Sequence, residues 1–175
     1  HVVATGIDIT TRKEAEKNIV VGIADSTVSD NPAAHIVTYS LGSCLGVVIY
    51  DPVARVGGIL HAMLPTFGQD RKKARQSPAM YVDSGVSFLF RSAYRLGADK
   101  QRIIVKAAGG AELLVQDEYF AIGRRNYEVL LETLQRNSVG LTAAAVGGSA
   151  SRTVRLELAT GKVTINVPGE TAFEL

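Results

Sequence analysis

Cysteine occurs once in this chain of 175 residues, histidine three times and tryptophan not at all. One cysteine excludes an internal disulfide and makes a reducing setting the expectation. One cysteine with three histidines is also a poor donor set for zinc, so no metal is expected. Charge of one sign is scarce too: 19 basic against 17 acidic residues leave a net +2. That excludes a nucleic-acid partner unless the basic side chains gather on one face. The one basic run, Arg71-Lys72-Lys73-Ala74-Arg75, lies between Pro65 and Pro78. It is expected to be a solvated loop, with contact to an acidic protein as the alternative. No apolar stretch is long enough for membrane insertion, and the first residues lack the layout of a secretory signal. The expected location is therefore cytoplasmic. With no P-loop lysine motif and no Gly-x-Gly-x-x-Gly pattern, a nucleotide cofactor has no support.

What is present is an ordinary globular composition, 46% hydrophobic and 21% charged, over a length that fits one domain. Residues 1–18 lack periodicity and are expected to form an N-terminal extension, with a short helix around Arg12–Asn18. The domain is expected over 19–175. Strands are predicted at Ile19–Ala24, His35–Ser40, Leu45–Tyr50, Val56–Met63, Arg102–Ala107 and Leu141–Val146. A closing hairpin is predicted from Thr153–Ala159 and Lys162–Val167 around Thr160-Gly161. Two helices fit Pro78–Leu96 and Gly123–Asn137, the second with Tyr127, Leu130, Leu131 and Leu134 on one face. Many strands and two good helices read as one α+β domain with helices over a largely antiparallel or mixed sheet.

The lone thiol, Cys44, sits in Thr38-Tyr39-Ser40-Leu41-Gly42-Ser43-Cys44-Leu45-Gly46. Glycines there let the backbone turn tightly and free amide N–H groups for a developing negative charge. Alone, such a cysteine is more often a small buried hydrophobe. His61, polar inside the apolar strand Gly58-Ile59-Leu60-His61-Ala62-Met63, is by itself more often a hydrogen-bonded core residue. Placed on the strand beside Cys44, it becomes a candidate base. Its orienting partner is left open among Thr38, Asp51 and Asp25. Gly42-Ser43-Cys44-Leu45-Gly46 also matches a nucleophile elbow, but the residues after it read as strand, where an elbow needs a helix. Ser43 is read as a turn residue and His35 as structural. The pairs Gly109-Gly110 and Gly147-Gly148 are read as turn punctuation, with cleft lining as the alternative.

These residues resemble the CheD family of chemoreceptor glutamine deamidases. The likeness runs through Thr38–Cys44, Tyr50-Asp51-Pro52, Gly58–Pro65, Lys106 with Gly109-Gly110-Ala111, Ile122-Gly123-Arg124-Arg125-Asn126, Gly147-Gly148 with Arg152, and Thr160–Val163. It covers roughly Ile19 to Val167. The resemblance implies a three-layer α/β/β sandwich and a Cys-His-Thr site: Cys44 as nucleophile, His61 as base, Thr38 as its orienting group. Backbone amides around Gly42 and Ser43 would hold the oxyanion, and no cofactor is needed. It further implies that the substrates are glutamines on chemoreceptor cytoplasmic helices, converted to glutamate through a thioester. Cleavage of glutamyl methyl esters at the same sites is a second activity it implies, and a CheC-type phosphatase is an implied partner.

Two other functions compete. One is a binding module that engages a CheC-type phosphatase or receptors without turnover; the other is a deamidase of non-receptor proteins. The enzymatic reading expects Cys44 to be partly exposed, with a thiolate reactive near neutral pH.

Overall fold

The computed structural model describes residues 17–112 and 121–175. Most of the helix expected around Arg12–Asn18 lies outside them, and its last two residues open a strand. The described strands are β1 (Lys17–Val20), β2 (Asp25–Ser29), β3 (Ala34–Leu41), β4 (Leu45–Asp51), β5 (Val56–Ala62), β6 (Ile104–Gly109), β7 (Ala143–Val146), β8 (Arg152–Glu157), β9 (Val163–Asn166) and β10 (Phe173–Glu174). The helices are α1 (Arg71–Gln76), α2 (Val82–Arg95), which follows a 3-10 turn at Pro78–Met80, and α3 (Ile122–Arg136).

The strands make two five-stranded sheets, ordered β1-β3-β8-β9-β10 and β2-β5-β4-β6-β7. Pairings β1–β3 and β6–β7 are parallel and the others antiparallel. The second sheet is the middle layer: helices cover one face and the first, outer sheet covers the other. Its central strands, Leu45-Gly-Val-Val-Ile-Tyr-Asp51 and Val56-Gly-Gly-Ile-Leu-His-Ala62, are therefore buried throughout. A strand buried on both faces reads as a continuous apolar run instead of an alternating one. The pleat still sorts its side chains. Leu45, Val47, Ile49 and Leu60 join the core under the helices with Val82, Leu89 and Leu130. Val48, Tyr50 and Ile59 join the core between the sheets with Ile36, Leu156 and Ile165. The α/β/β sandwich expected from the resemblance is the observed architecture.

Besides leaving out β2 and β10, the sequence reading differs from the structure chiefly at three places. The expected strand Ile19–Ala24 is cut after Val20: Ala24 takes a left-handed φ of 58°, and the chain leaves the outer sheet for the middle one. The Val21 amide donates to Val37 of β3, whereas the Ala24 amide donates to His61 of β5. Second, the basic run forms a short helix instead of a loop. The Asp70 carboxylate caps it by accepting the Lys73 amide at 3.0 Å, and none of its residues is buried. Third, α3 buries Gly123, Asn126, Leu130, Thr133 and Leu134, while Leu131 is exposed. At 100° per residue this stripe runs through position 126, which hydrophobicity alone did not mark.

Candidate functional site

Between Leu41 and Leu45 the chain crosses from the outer sheet to the middle one, and Cys44 lies on that crossing. The crossing starts from a bulge. β3 pairs Thr38 with Val154 and then Leu41 with Arg152, so β3 carries one extra residue, and Ser40 takes a φ of 57°. A bulge bends its strand and increases the local twist, which turns the chain out of the outer sheet. Tyr39 and Ser40 are exposed there, with Thr38 and Leu41 buried on either side.

Three successive carbonyls of the crossing are tied down. The Ala111 amide donates to Gly42 O at 2.8 Å and the Gly110 amide to Cys44 O at 2.9 Å. Between them, Asn126 Nδ2 donates to Ser43 O at 2.9 Å. In a trans peptide the C=O of one residue and the N–H of the next point in opposite directions. Anchoring Gly42 O and Ser43 O therefore turns the Ser43 and Cys44 amides away from the scaffold. Among the described residues neither amide has a backbone acceptor in the turn.

The glycines read as punctuation are what brings this scaffold close. Gly109 has φ +102°, and a Cβ there would sit on the Cys44 carbonyl. At Gly123, in the first turn of α3, a Cβ would lie 2.6 Å from Gly110 O. The second pair locks onto the first: the Gly147 amide donates to Gly109 O at 3.0 Å, and Arg152 Nη1 reaches the same oxygen at 3.3 Å.

His61 lies on β5, directly opposite Gly46 of β4 and Asp25 of β2. It shares its pleat face with Ile59, so its ring enters the space between the sheets, where it is 1% exposed. From the outer sheet Thr38, itself fully buried, meets it: Thr38 Oγ1 lies 2.7 Å from His61 Nδ1 and 2.8 Å from Val21 O. The Val21 carbonyl only accepts, so the one hydroxyl hydrogen goes to it. Nδ1 must then carry the hydrogen given to Oγ1, and Nε2 keeps its lone pair. Among the described residues Nε2 has no hydrogen-bond partner. Cys44, two residues before Gly46, packs against the same inter-sheet core and is half-buried. The thiol and Nε2 are not bonded in this state, as is common for catalytic pairs before substrate tightens them.

Burial pushes the Cys44 thiol above its ordinary value of 9.0, with its own backbone N–H pulling the other way. Burial likewise pushes His61 below 6.5. Both shifts favour the uncharged pair. The sequence reading expected a thiolate at neutral pH; desolvation of a half-buried sulfur makes the neutral thiol the resting form.

The other two candidates for orienting His61 are engaged elsewhere. Asp25, its register neighbour, is exposed, and its carboxylate accepts the Ser26 amide at 2.7 Å. Asp51 closes the far end of β4. Burial alone would raise its pKa, but Arg102 and the amides of Asp99, Ala54 and Val53 hold it well below the ordinary carboxylate range. The Arg102 Nη2 to Asp51 Oδ2 distance is 2.9 Å. The sequence reading gave Asn126 no role. It is fully buried, and Nδ2 bridges Ser43 O and, at 3.1 Å, Met63 O, just past the end of β5. An asparagine three residues on from a helix-opening Gly was the available signal, since an amide on a buried stripe needs partners. Among the described residues no cluster of His, Cys, Asp or Glu could hold a metal, and no helix is long and apolar enough to cross a membrane.

A family model described as CheD chemotactic sensory transduction matches residues 63–167. Proteins named "Probable chemoreceptor glutamine deamidase CheD" are similar over most of the chain. The one from Syntrophus aciditrophicus (numbered CheD 1) is 43% identical over 158 residues, covering 90% of this chain and 99% of its own. For the Solibacter usitatus protein identity is 42%, with 88% and 91% covered. For that of Pyrococcus horikoshii it is 41%, with 84% and 90% covered. Among solved structures, a Neisseria meningitidis protein of the DUF152 family shares the fold, with a TM-score of 0.51 at 10% identity over 81% of this chain and 68% of its own. A matched model over more than half the sequence, and relatives above 40% identity aligned nearly end to end, place one conclusion beyond the fold: this chain belongs to the CheD family.

Proposed function

We propose that this protein is a glutamine deamidase acting on chemoreceptors, with Cys44 as nucleophile, His61 as general base and acid, and Thr38 holding the imidazole. The observation that carries this is the Thr38–His61 hydrogen bond across the two sheets, which leaves Nε2 unprotonated on the face shared with the only thiol. With both groups neutral at rest, His61 takes the thiol proton as sulfur attacks, instead of pairing with a preformed thiolate. The Cys44 sulfur bonds to the side-chain carboxamide carbon, and the carbonyl π pair moves onto oxygen. The outward amides of Ser43 and Cys44, in the Gly42–Cys44 turn, stabilise that oxyanion. The oxygen pair then returns, the C–N bond breaks, and nitrogen takes the proton from His61 Nε2 and leaves as ammonia. Water, deprotonated by the same nitrogen, hydrolyses the thioester to glutamate and frees the thiol. No step calls for a cofactor.

The names of the relatives motivate the receptor as substrate, and receptor cytoplasmic helices would place the reaction in the cytoplasm. Glutamyl methyl esters would reach the same thioester with methanol as the leaving group. A CheC-type phosphatase is the partner we propose, on the family resemblance. The test is mass spectrometry of a receptor cytoplasmic fragment after incubation with the protein or its Cys44→Ala variant. Gln-to-Glu conversion by the wild type alone supports the proposal. Binding of the fragment with no conversion by either would replace it with the binding-module reading.

A further inference from the structure

Asn126 lies on a helix in the third layer, yet it touches the nucleophile turn. Both hydrogens of its Nδ2 are spent on carbonyls, Ser43 O at 2.9 Å and Met63 O at 3.1 Å. Two acceptors on one nitrogen fix which end of the amide is which, because the oxygen end donates to neither. Met63 follows β5, the strand that carries His61, and Ser43 precedes Cys44. One side chain thus joins the nucleophile's turn to the base's strand.

The choice of Ser43 O matters. The Ser43 carbonyl and the Cys44 amide belong to one rigid peptide unit, so holding the oxygen inward aims the Cys44 N–H outward. Gly110 and Ala111 fix the neighbouring carbonyls through backbone amides. The Ser43 carbonyl is the one of the three that depends on a side chain. Asn126 Oδ1 and His61 Nε2 are also the two buried side-chain polar atoms without a partner among the described residues. An unpaired buried acceptor carries a desolvation penalty. Both such atoms lie on residues of this one site.

We propose that Asn126 is a positioning residue that orients the Ser43–Cys44 peptide unit so that the Cys44 amide serves the oxyanion. This rests on the thiol chemistry proposed above. It separates two reactions of one sulfur. Acylation by an ester forms a tetrahedral oxyanion and needs the oriented amide; alkylation by iodoacetamide displaces iodide and forms no oxyanion. Because the chain has one cysteine, both reagents report on Cys44 alone.

The experiment measures acylation by p-nitrophenyl acetate and alkylation by iodoacetamide in the full chain. The variants are Asn126→Asp, which keeps the shape but loses the NH₂ donor, and Asn126→Ser as a second in case the first does not fold. Thr133→Val, on the same helix with its hydroxyl bonded only to Val129 O, controls for stability. Rates are taken per folded molecule. Acylation is expected to fall about 100-fold, the scale of losing one oxyanion donor, with alkylation within about threefold. Thr133→Val is expected to change neither rate. If wild type acylates readily and the Asn126 variants keep its ratio of the two rates, or lose both together, the orienting role is overturned and the deamidase reading stands. A wild-type thiol that alkylates but resists the ester overturns both.

Discussion

Replacing Thr38 by Val removes one hydroxyl and keeps the shape. That hydroxyl gives its hydrogen to Val21 O at 2.8 Å and accepts from His61 Nδ1 at 2.7 Å, with no solvent access. Valine would leave a buried carbonyl and a buried ring N–H without partners. Each such orphan costs about 1–3 kcal/mol, so the variant should lose about 2–6 kcal/mol of unfolding free energy. A second effect is separate from stability. Without an acceptor at Nδ1 the hydrogen is free to move to Nε2, where it blocks the base. Loss of the tautomer-fixing partner in a catalytic triad costs about 10⁴ in turnover where that partner is charged. For a neutral hydroxyl we expect about 10²–10³ in kcat, with KM little changed. The assay is urea unfolding together with Gln-to-Glu turnover per folded molecule, and Thr38→Ser is expected to restore most of both. A valine variant within about threefold of wild-type kcat, the scale expected of an indirect packing change, would refute the tautomer argument.

The pH profile of turnover should stay flat down to the ordinary histidine value of 6.5 and fall below it, because burial lowers the His61 pKa and a protonated Nε2 is no base. The same shift makes stability full above pH 6.5 and reduced as pH falls toward the folded-state pKa, which acid-dependent unfolding checks. Alkylation of Cys44 should keep rising past pH 9.0, since burial raises its pKa; a plateau below that pH would contradict a neutral resting thiol. Gly109→Ala should destabilise by at least about 2 kcal/mol and slow acylation, since φ +102° and the Cys44 carbonyl both exclude a Cβ. Chemical denaturation with a wild-type midpoint would sink that argument. Asp51→Asn should lower stability by taking the carboxylate from the Arg102 guanidinium and from the Val53, Ala54 and Asp99 amides, with turnover per folded molecule unchanged; chemical denaturation and the Gln-to-Glu assay check both.

Much of the fold was legible because its middle sheet advertises itself. Leu45–Tyr50 and Val56–Met63 are β-branched and apolar apart from glycines and His61, and both stand as strands close to where they were expected. The same property hid the site's partners. A strand buried on both faces does not alternate, so nothing in Gly58–Met63 says which face His61 takes or which sheet lies over it. That is why Thr38, Asp51 and Asp25 stayed equivalent on the residues alone, and why the family resemblance named Thr38. Strand β2, Asp25-Ser-Thr-Val-Ser29, was missed because it is polar and half-exposed, and its pairing with β5 is what defines it. Helix α1 had a readable cap in Asp70 but no apolar stripe to announce it. Asn126 escaped for a different reason: its meaning lies in two carbonyls far away in sequence, Ser43 and Met63.

The site draws one contributor from each layer of the sandwich. Thr38 comes from the outer sheet, His61 from the middle one, Asn126 from the helices, and Cys44 from the crossing between the sheets. None of these layers can loosen without disconnecting a member of the set. A thiol loaded onto a half-folded chain would therefore be a chemical bystander. For the deamidation proposed above, this ties the licence to react to completion of the whole molecule.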